Sequence, residues 1–246
     1  MVRPPERDFT NGIQKMMKQI IAIGGGGFGR EIKDLKIEKY IVNQSNNDSP
    51  SICFIPTATG DDERYKKNFY STFNKLNCFS NHLDFFKRTP DLEDLIFSND
   101  IFYIGGGNTK SMLAVWEDWG LSNFLKKAYN NGAIMCGVSA GAICWFEKGI
   151  TDSWASELKI INCLGFVTGN CCPHYNEEPE RKPSLEKFLN KGLMDNCYAI
   201  EGGCALHFKD GSPYKAIAFD KLKNAYFVKL EKNEIKEKSI PRIEII

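Results

Sequence analysis

A serine held between glycines at a strand-to-helix turn has the most direct chemical use in this sequence. Gly137-Val138-Ser139-Ala140-Gly141 follows the apolar run 133–136 and precedes an expected helix over 140–146. That is G-x-S-x-G in the strand-turn-helix setting that exposes a nucleophilic hydroxyl. The glycines remove steric conflict at a strained turn, and a helix N-terminus favours negative charge beside the serine. The N–H of Ala140 is then available to a developing oxyanion, and a second donor is expected from the glycine loop 105–107 within IGGGNTK, residues 104–110. Cys136 and Cys144 flank the motif without occupying the turn and read as small core residues.

A serine nucleophile requires a base, and the sequence offers three histidines. His207 lies in the strand pattern CALHF, and His82 lies upstream of the serine in NHLDF. His174 lies downstream of the turn, in the proline-marked loop Gly169-Asn170-Cys171-Cys172-Pro173-His174-Tyr175, which makes it the better-placed base. A carboxylate must then orient the imidazole and stabilise its charged form. Glu201 ends the strand pattern 198–200 and precedes Gly202-Gly203, so it projects from a strand end; Asp152 in ITDSW competes with it. Asp195 and Asp210 read as turn residues.

Strand ends must deliver these groups. Short apolar runs at Gln19–Ile23 (QIIAI), 51–56 (SICFIP), 78–85, Ile101–Ile104 (IFYI) and 133–136 (AIMC) predict buried strands. Helical spacing falls between them at 61–76 and 110–130, and later at 184–193. This alternation predicts a three-layer α/β fold, a mainly parallel sheet flanked by helices. Further strands are expected at 198–200, 205–208, 215–219 and 225–230. The last two predict a C-terminal β-hairpin, followed by a charged, solvated edge over 231–238. Glycine loops at 24–29 and 104–110 follow two of the strands and place a site along their C-terminal ends. GGGGFG also satisfies G-x-G-x-x-G, but no strand ending in a carboxylate follows ~20 residues later, as a dinucleotide site requires.

Composition narrows the function classes. With 246 residues, 42% hydrophobic and 26% charged, the chain is not intrinsically disordered. Its 32 basic and 31 acidic side chains leave a net charge of +1 and no basic block, which argues against a nucleic-acid partner. Nine cysteines, an odd number with no C-x-x-C pair and no secretory signal before them, point to a reducing cytoplasm and away from a zinc cage. Residues 128–146 are uncharged over the length of a membrane span, but Asn130, Asn131, Gly132, Gly137 and Ser139 interrupt them, so no membrane association is expected. Residues 1–17 read as a flexible extension or tag, and 18–246 as a single catalytic α/β domain.

Six segments, IIAIGGGG, FYIGGGNTK, CGVSAGA, DSW, PHYNEEPERKP and IEGGCAL, occur in that order. Together they resemble the peptidase E family of serine peptidases, the aspartyl dipeptidases, whose relatives include cyanophycinase. The resemblance spans nearly all of residues 18–230 and implies a fold like that of the class I glutamine amidotransferases, with serine in place of their cysteine.

By that resemblance Ser139 is the nucleophile, His174 the general base and acid, and Glu201 the orienting acid. Gly106 or Gly107 forms the oxyanion hole with Ala140. Asn108 and Thr109, which close the GGGNT loop, fall with the substrate-binding residues, and Asp152 matches an aspartate kept close to the site. An N-terminal aspartate substrate would need a cation for its side chain, for which Arg181 suits bidentate contact. It would also need an anion for its free amino group, from Glu177, Glu178 or Glu180. The resemblance implies hydrolysis of short peptides with no need of a metal or organic cofactor, and a monomer or homodimer is expected. A cyanophycinase-like exopeptidase for β-aspartyl peptides, or a non-catalytic binder of an acidic metabolite or peptide on the same fold, are the alternatives.

Overall fold

The computed structural model describes residues 16–29, 34–155 and 157–245. The extension expected over residues 1–17 lies outside them except for Met16 and Met17. In chain order the elements begin β1 (Gln19–Ile23), α1 (Lys36–Val42), β2 (Ser51–Ile55), α2 (Glu63–Phe73), β3 (Phe79–His82), α3 (Leu92–Phe97) and β4 (Ile101–Ile104). There follow α4 (Thr109–Asp118), α5 (Leu121–Asn130), β5 (Ile134–Val138), α6 (Ala140–Ile143), β6 (Lys148–Thr151), β7 (Lys159–Asn162), β8 (Asn170–Cys172) and α7 (Arg181–Asn190). The chain ends on β9 (Asn196–Ile200), β10 (Cys204–Lys209), β11 (Ser212–Ala218), β12 (Ala225–Glu231), β13 (Glu234–Ser239) and β14 (Arg242–Glu244).

Eight strands form one sheet in the order β14-β11-β10-β1-β5-β4-β2-β3, in which β10 alone runs against its neighbours. The central strands β1, β2, β4 and β5 are buried along their whole length, as parallel strands covered on both faces must be. Alternate residues divide between two cores. Ile20, Ala22, Phe102 and Ile104 pack with Met112 and Trp116 of α4 and with Leu121 and Leu125 of α5. Ile21, Ile23, Phe54 and Tyr103 pack with Ile37 and Ile41 of α1 and with Phe69 and Phe73 of α2. This is the three-layer α/β arrangement that the sequence pattern predicts.

A second sheet, β13-β12-β9-β8-β6-β7, carries its own core against α7, built from Ile150, Cys172, Ala199, Val228, Leu185 and Phe188. The short helix α6 packs against β1, β4 and β5 of the first sheet and against β6 and β8 of the second. The ends of strands from both sheets therefore converge around the residue that precedes it, Ser139.

Two expectations need correction. The helix predicted over 110–130 is two helices, because Gly120 at φ +67 ends one and starts the other at a left-handed turn. The expected hairpin of 215–219 with 225–230 does not form: β11 pairs with β10 and β14, whereas β12 joins the other sheet beside β9. The terminal hairpin is instead β12 with β13, so the charged run 231–238 is largely strand. Lys232 and Asn233, at φ +49 and +65, make the tight left-handed turn between them. No helix among the described residues is long and apolar enough to cross a membrane.

Candidate active site

Ser139 stands between β5 and α6 at φ +56, ψ −111, a conformation that L-residues avoid and that costs of order 1–3 kcal/mol. Its N–H donates to the Ile23 carbonyl at 3.0 Å, and its carbonyl accepts the N–H groups of Ala142 and Ile143 at 2.9 and 3.0 Å. The turn is thus fixed from both sides. Gly141 is required because a side chain there would strike the backbone of Ile104. Ser139 Oγ has no hydrogen-bond partner among the described residues and faces a cleft of about 270 Å³.

The Ile101–Ile104 strand delivers the second wall. Gly107, at φ +137, carries the chain against the Ala58 carbonyl, and Asn108 N–H donates to that carbonyl at 2.8 Å. Asn108 Oδ1 caps α4 by accepting Ser111 N–H at 2.9 Å. Gly106 packs against Ser139, since a side chain on it would lie 3.4 Å from Ser139 Cβ. Neither the Gly107 nor the Ala140 amide makes a hydrogen bond to another described residue, so both remain free to donate.

The third wall is the loop after β6. Thr151 Oγ1 donates to Thr109 Oγ1 at 3.2 Å and lies 2.8 Å from Ser153 Oγ. Ser153 Oγ accepts Lys110 N–H at 3.2 Å, and its carbonyl accepts Asn108 Nδ2–H at the same distance. This chain of hydroxyls ties the loop to the start of α4 and holds Asp152 and Ser153 on the cleft lining. Thr109, expected among the substrate contacts, is buried beneath it as part of the tie.

His174 enters from the end of β8 in a left-handed conformation, φ +54. Its N–H donates to the Gly24 carbonyl at 3.0 Å, and its carbonyl accepts the N–H groups of Glu177 and Glu178 at 3.0 and 3.2 Å. The tight turn brings Glu177 Oε2 to 2.6 Å from His174 Nδ1. An ionised carboxylate can only accept, so Nδ1–H donates and Nε2 is left as the basic nitrogen. The four-glycine loop after β1 makes room for this pair: a Cβ on Gly25 would collide with Glu177 Oε2 and lie 2.8 Å from His174 Nδ1. Gly202 N–H donates to Asn176 Oδ1 at 2.8 Å and anchors the loop on its other side.

Glu201 does not make the contact expected of it. Its carboxylate accepts Asn224 N–H at 2.8 Å, and its own N–H donates to the Asn224 carbonyl at 3.1 Å, which ties the end of β9 to the start of β12. Arg181 also departs from expectation. It is 1% exposed, with Nε donating to Glu178 Oε2 and Nη1 to the Ile150 carbonyl, both at 2.7 Å. Glu178 and Asp152 reach the cleft, whereas the guanidinium lies beneath Glu178.

The other histidines are engaged elsewhere. His207 is fully buried, with Tyr40 Oη 2.8 Å from Nδ1 and Gln19 Oε1 3.1 Å from Nε2, and burial holds its pKa down at about 4. His82 Nδ1 lies 2.6 Å from Tyr70 Oη. Burial raises the Cys136 and Cys144 thiols well above their ordinary range, as suits the core residues that the sequence indicates.

A serine on a strained turn, sharing one cleft with an imidazole backed by a carboxylate, is hydrolase geometry. Consistent with it, the profile of Peptidase family S51 matches residues 20–214. The chain belongs to peptidase family S51. It is accordingly a serine peptidase, a hydrolase of peptide bonds. The S51 chain is 42% identical over 226 residues to the uncharacterized peptidase YgaJ of Bacillus subtilis, covering 92% of this chain and 98% of that protein. It is 26% identical over 176 residues to peptidase E of Haemophilus influenzae, covering 65% of this chain and 78% of the relative. In fold it resembles the crystal structure of a peptidase from an acI-B1 actinobacterium, with TM-score 0.71 at 18% identity, covering 94% and 97% of the two chains. It also resembles a putative peptidase E from Listeria monocytogenes, with TM-score 0.61 at 20% identity, covering 83% and 100%.

Of the residues that sequence reasoning gathers into the S51 site, Gly107, Asn108, Ser139, Asp152, His174 and Glu178 line the cleft. Ser153 joins them and Glu177 backs the imidazole. The sequence singles out neither for those places. DSW offered Ser153 one residue beyond Asp152. By resemblance Glu177 is one of three acids open to a different role, binding a substrate amino group.

Proposed function

We propose that this S51 peptidase hydrolyses short peptides through an acyl-enzyme on Ser139. His174 Nε2 takes the hydroxyl proton as Oγ attacks the scissile carbonyl carbon, then returns it to the leaving amine as the C–N bond breaks. Water, deprotonated by the same nitrogen, hydrolyses the ester and restores the serine. Glu177 fixes the ring through Nδ1–H and stabilises the imidazolium, the role that sequence reasoning gave to Glu201. The amides of Gly107 and Ala140 are the donors for the developing oxyanion.

The observation that carries this reading is the His174–Glu177 pair at 2.6 Å, on a cleft it shares with the strained Ser139. The small cleft supports a short substrate. The aspartyl dipeptidase specificity suggested by resemblance rests on Arg181, and its burial beneath Glu178 weighs against that part. Nine free cysteines support a reducing, cytoplasmic setting.

A fluorophosphonate probe tests the mechanism. It should label the wild-type protein at Ser139 and leave Ser139→Ala and thermally unfolded protein unlabelled. Labelling that persists in Ser139→Ala, or folded protein that resists the probe and hydrolyses no member of a dipeptide library, would overturn the acyl-enzyme.

A further inference from the structure

The charged side chains around the cleft point to a substrate class, an inference that rests on the peptidase reading above. Asp152 and Glu178 line the cleft beside Ser139, with side-chain exposures of 69% and 35%. Among the described residues the cation in contact with them, Arg181, faces inward: Nε is held by Glu178, Nη1 by the Ile150 carbonyl, and Nη2 lies 4.0 Å from Asp152 Oδ1. A substrate carboxylate could reach that guanidinium only by displacing Glu178 and breaking a buried, charge-assisted hydrogen bond. Among the described residues the other nearby cations, Lys110 and Lys159, stand 5.5 and 5.6 Å from the Trp154 ring and are not part of the cleft lining.

Asp152, Glu178 and Arg181 together carry one net negative charge. The His174–Glu177 pair adds another while the ring is neutral. Such a cleft attracts a cation and repels an acidic side chain. In a peptide bound by its first residue, the α-ammonium is separated from the scissile carbonyl carbon by a single carbon, so it lies within the same small cleft as the carbon that Ser139 attacks. We propose that Asp152 and Glu178 recognise the free α-ammonium of the substrate, and that the enzyme takes peptides whose first residue is neutral or basic and discriminates against aspartate.

Three dipeptides, Ala-Ala, N-acetyl-Ala-Ala and Asp-Ala, test this on the wild-type enzyme and on Asp152→Asn. The wild type should hydrolyse Ala-Ala with a kcat/KM roughly 10- to 100-fold above either of the others, the worth of a charge-assisted hydrogen bond. Asp152→Asn should narrow both ratios. Asp-Ala equal to or better than Ala-Ala, or indifference to acetylation, overturns the proposal. Unchanged ratios in a folded Asp152→Asn overturn the role of that residue; should the variant misfold, the wild-type ratios still decide the substrate class.

Binding of the same peptides to Ser139→Ala, measured by calorimetry, keeps this test separate from the mechanism. Preferential binding of Ala-Ala without turnover by the wild type would sustain the recognition and sink the acyl-enzyme. Equal binding of all three, or binding of none, would sink the recognition.

Discussion

His174 Nδ1 and Glu177 Oε2 lie 2.6 Å apart, joined across three residues of one loop. A left-handed His174 folds the chain back on itself so that both groups come from the same turn, and in the mechanism proposed above they serve as base and orienting acid. The prediction that follows separates two carboxylates. Glu177→Gln should lower kcat by roughly 10²- to 10⁴-fold with little change in Tm, because the amide cannot stabilise the imidazolium. Glu201→Gln should leave kcat within a few-fold and lower Tm, because Glu201 binds the backbone of Asn224. Steady-state kinetics and thermal melts on the two variants decide between them, and the reverse pattern would return the acid role to Glu201.

The same relationship explains one glycine of the run after β1. Gly25 leaves open the space beside Glu177 and His174 that a methyl group would fill. Gly25→Ala should therefore cost kcat through a displaced pair. Gly192→Ala provides the control: Gly192 sits at positive φ, +65, where Gly25 does not, and a Cβ on it would meet nothing within 4 Å. It should cost about 1 kcal/mol of stability in a urea titration and leave kcat unchanged.

Much of this was legible in the sequence. The buried parallel strands β1, β2, β4 and β5 appear as continuous apolar runs because both faces are covered, and the glycines around Ser139 mark a turn that other residues cannot make. What escaped was information that lives between segments. β11 and β12 follow each other closely and look like a hairpin, yet they belong to different sheets. β13 is exposed along most of its length, so its sequence has no apolar alternation to announce a strand. Glu177 sits in a run of acids, and only the left-handed turn at His174 decides which of them reaches the ring. Arg181 looks like a surface grip for carboxylates, and its burial follows from the Ile150 carbonyl and Glu178 that surround it in space.

His207 makes stability depend on pH in a defined window. Burial lowers its pKa from 6.5 to about 4 in the folded protein. Between those values the unfolded chain binds the proton and the folded chain does not, so stability rises with pH across the window. The contribution is fully present above pH 6.5 and is lost as the pH falls towards 4, to a total of roughly 3 kcal/mol. His207→Gln removes the titration. Urea midpoints of the wild type should fall on acidification through this range more steeply than those of the variant, and parallel curves would refute the assignment.

Ser139 gives the last prediction, which sets function against stability. Its backbone, at φ +56 and ψ −111, stores strain of order 1–3 kcal/mol. Glycine adopts such a conformation without a Cβ clash, while its extra freedom in the unfolded chain costs roughly 0.5–1 kcal/mol. The difference leaves Ser139→Gly more stable than the wild type by about 1 kcal/mol and inactive. Ser139→Ala keeps the Cβ and therefore the strain. Because the hydroxyl has no partner among the described residues, its removal should change stability by only a few tenths of a kcal/mol. Urea unfolding of the three proteins therefore has an expected order, with glycine above the closely matched alanine and serine. Glycine at or below alanine would mean that the turn is not held against its own preference.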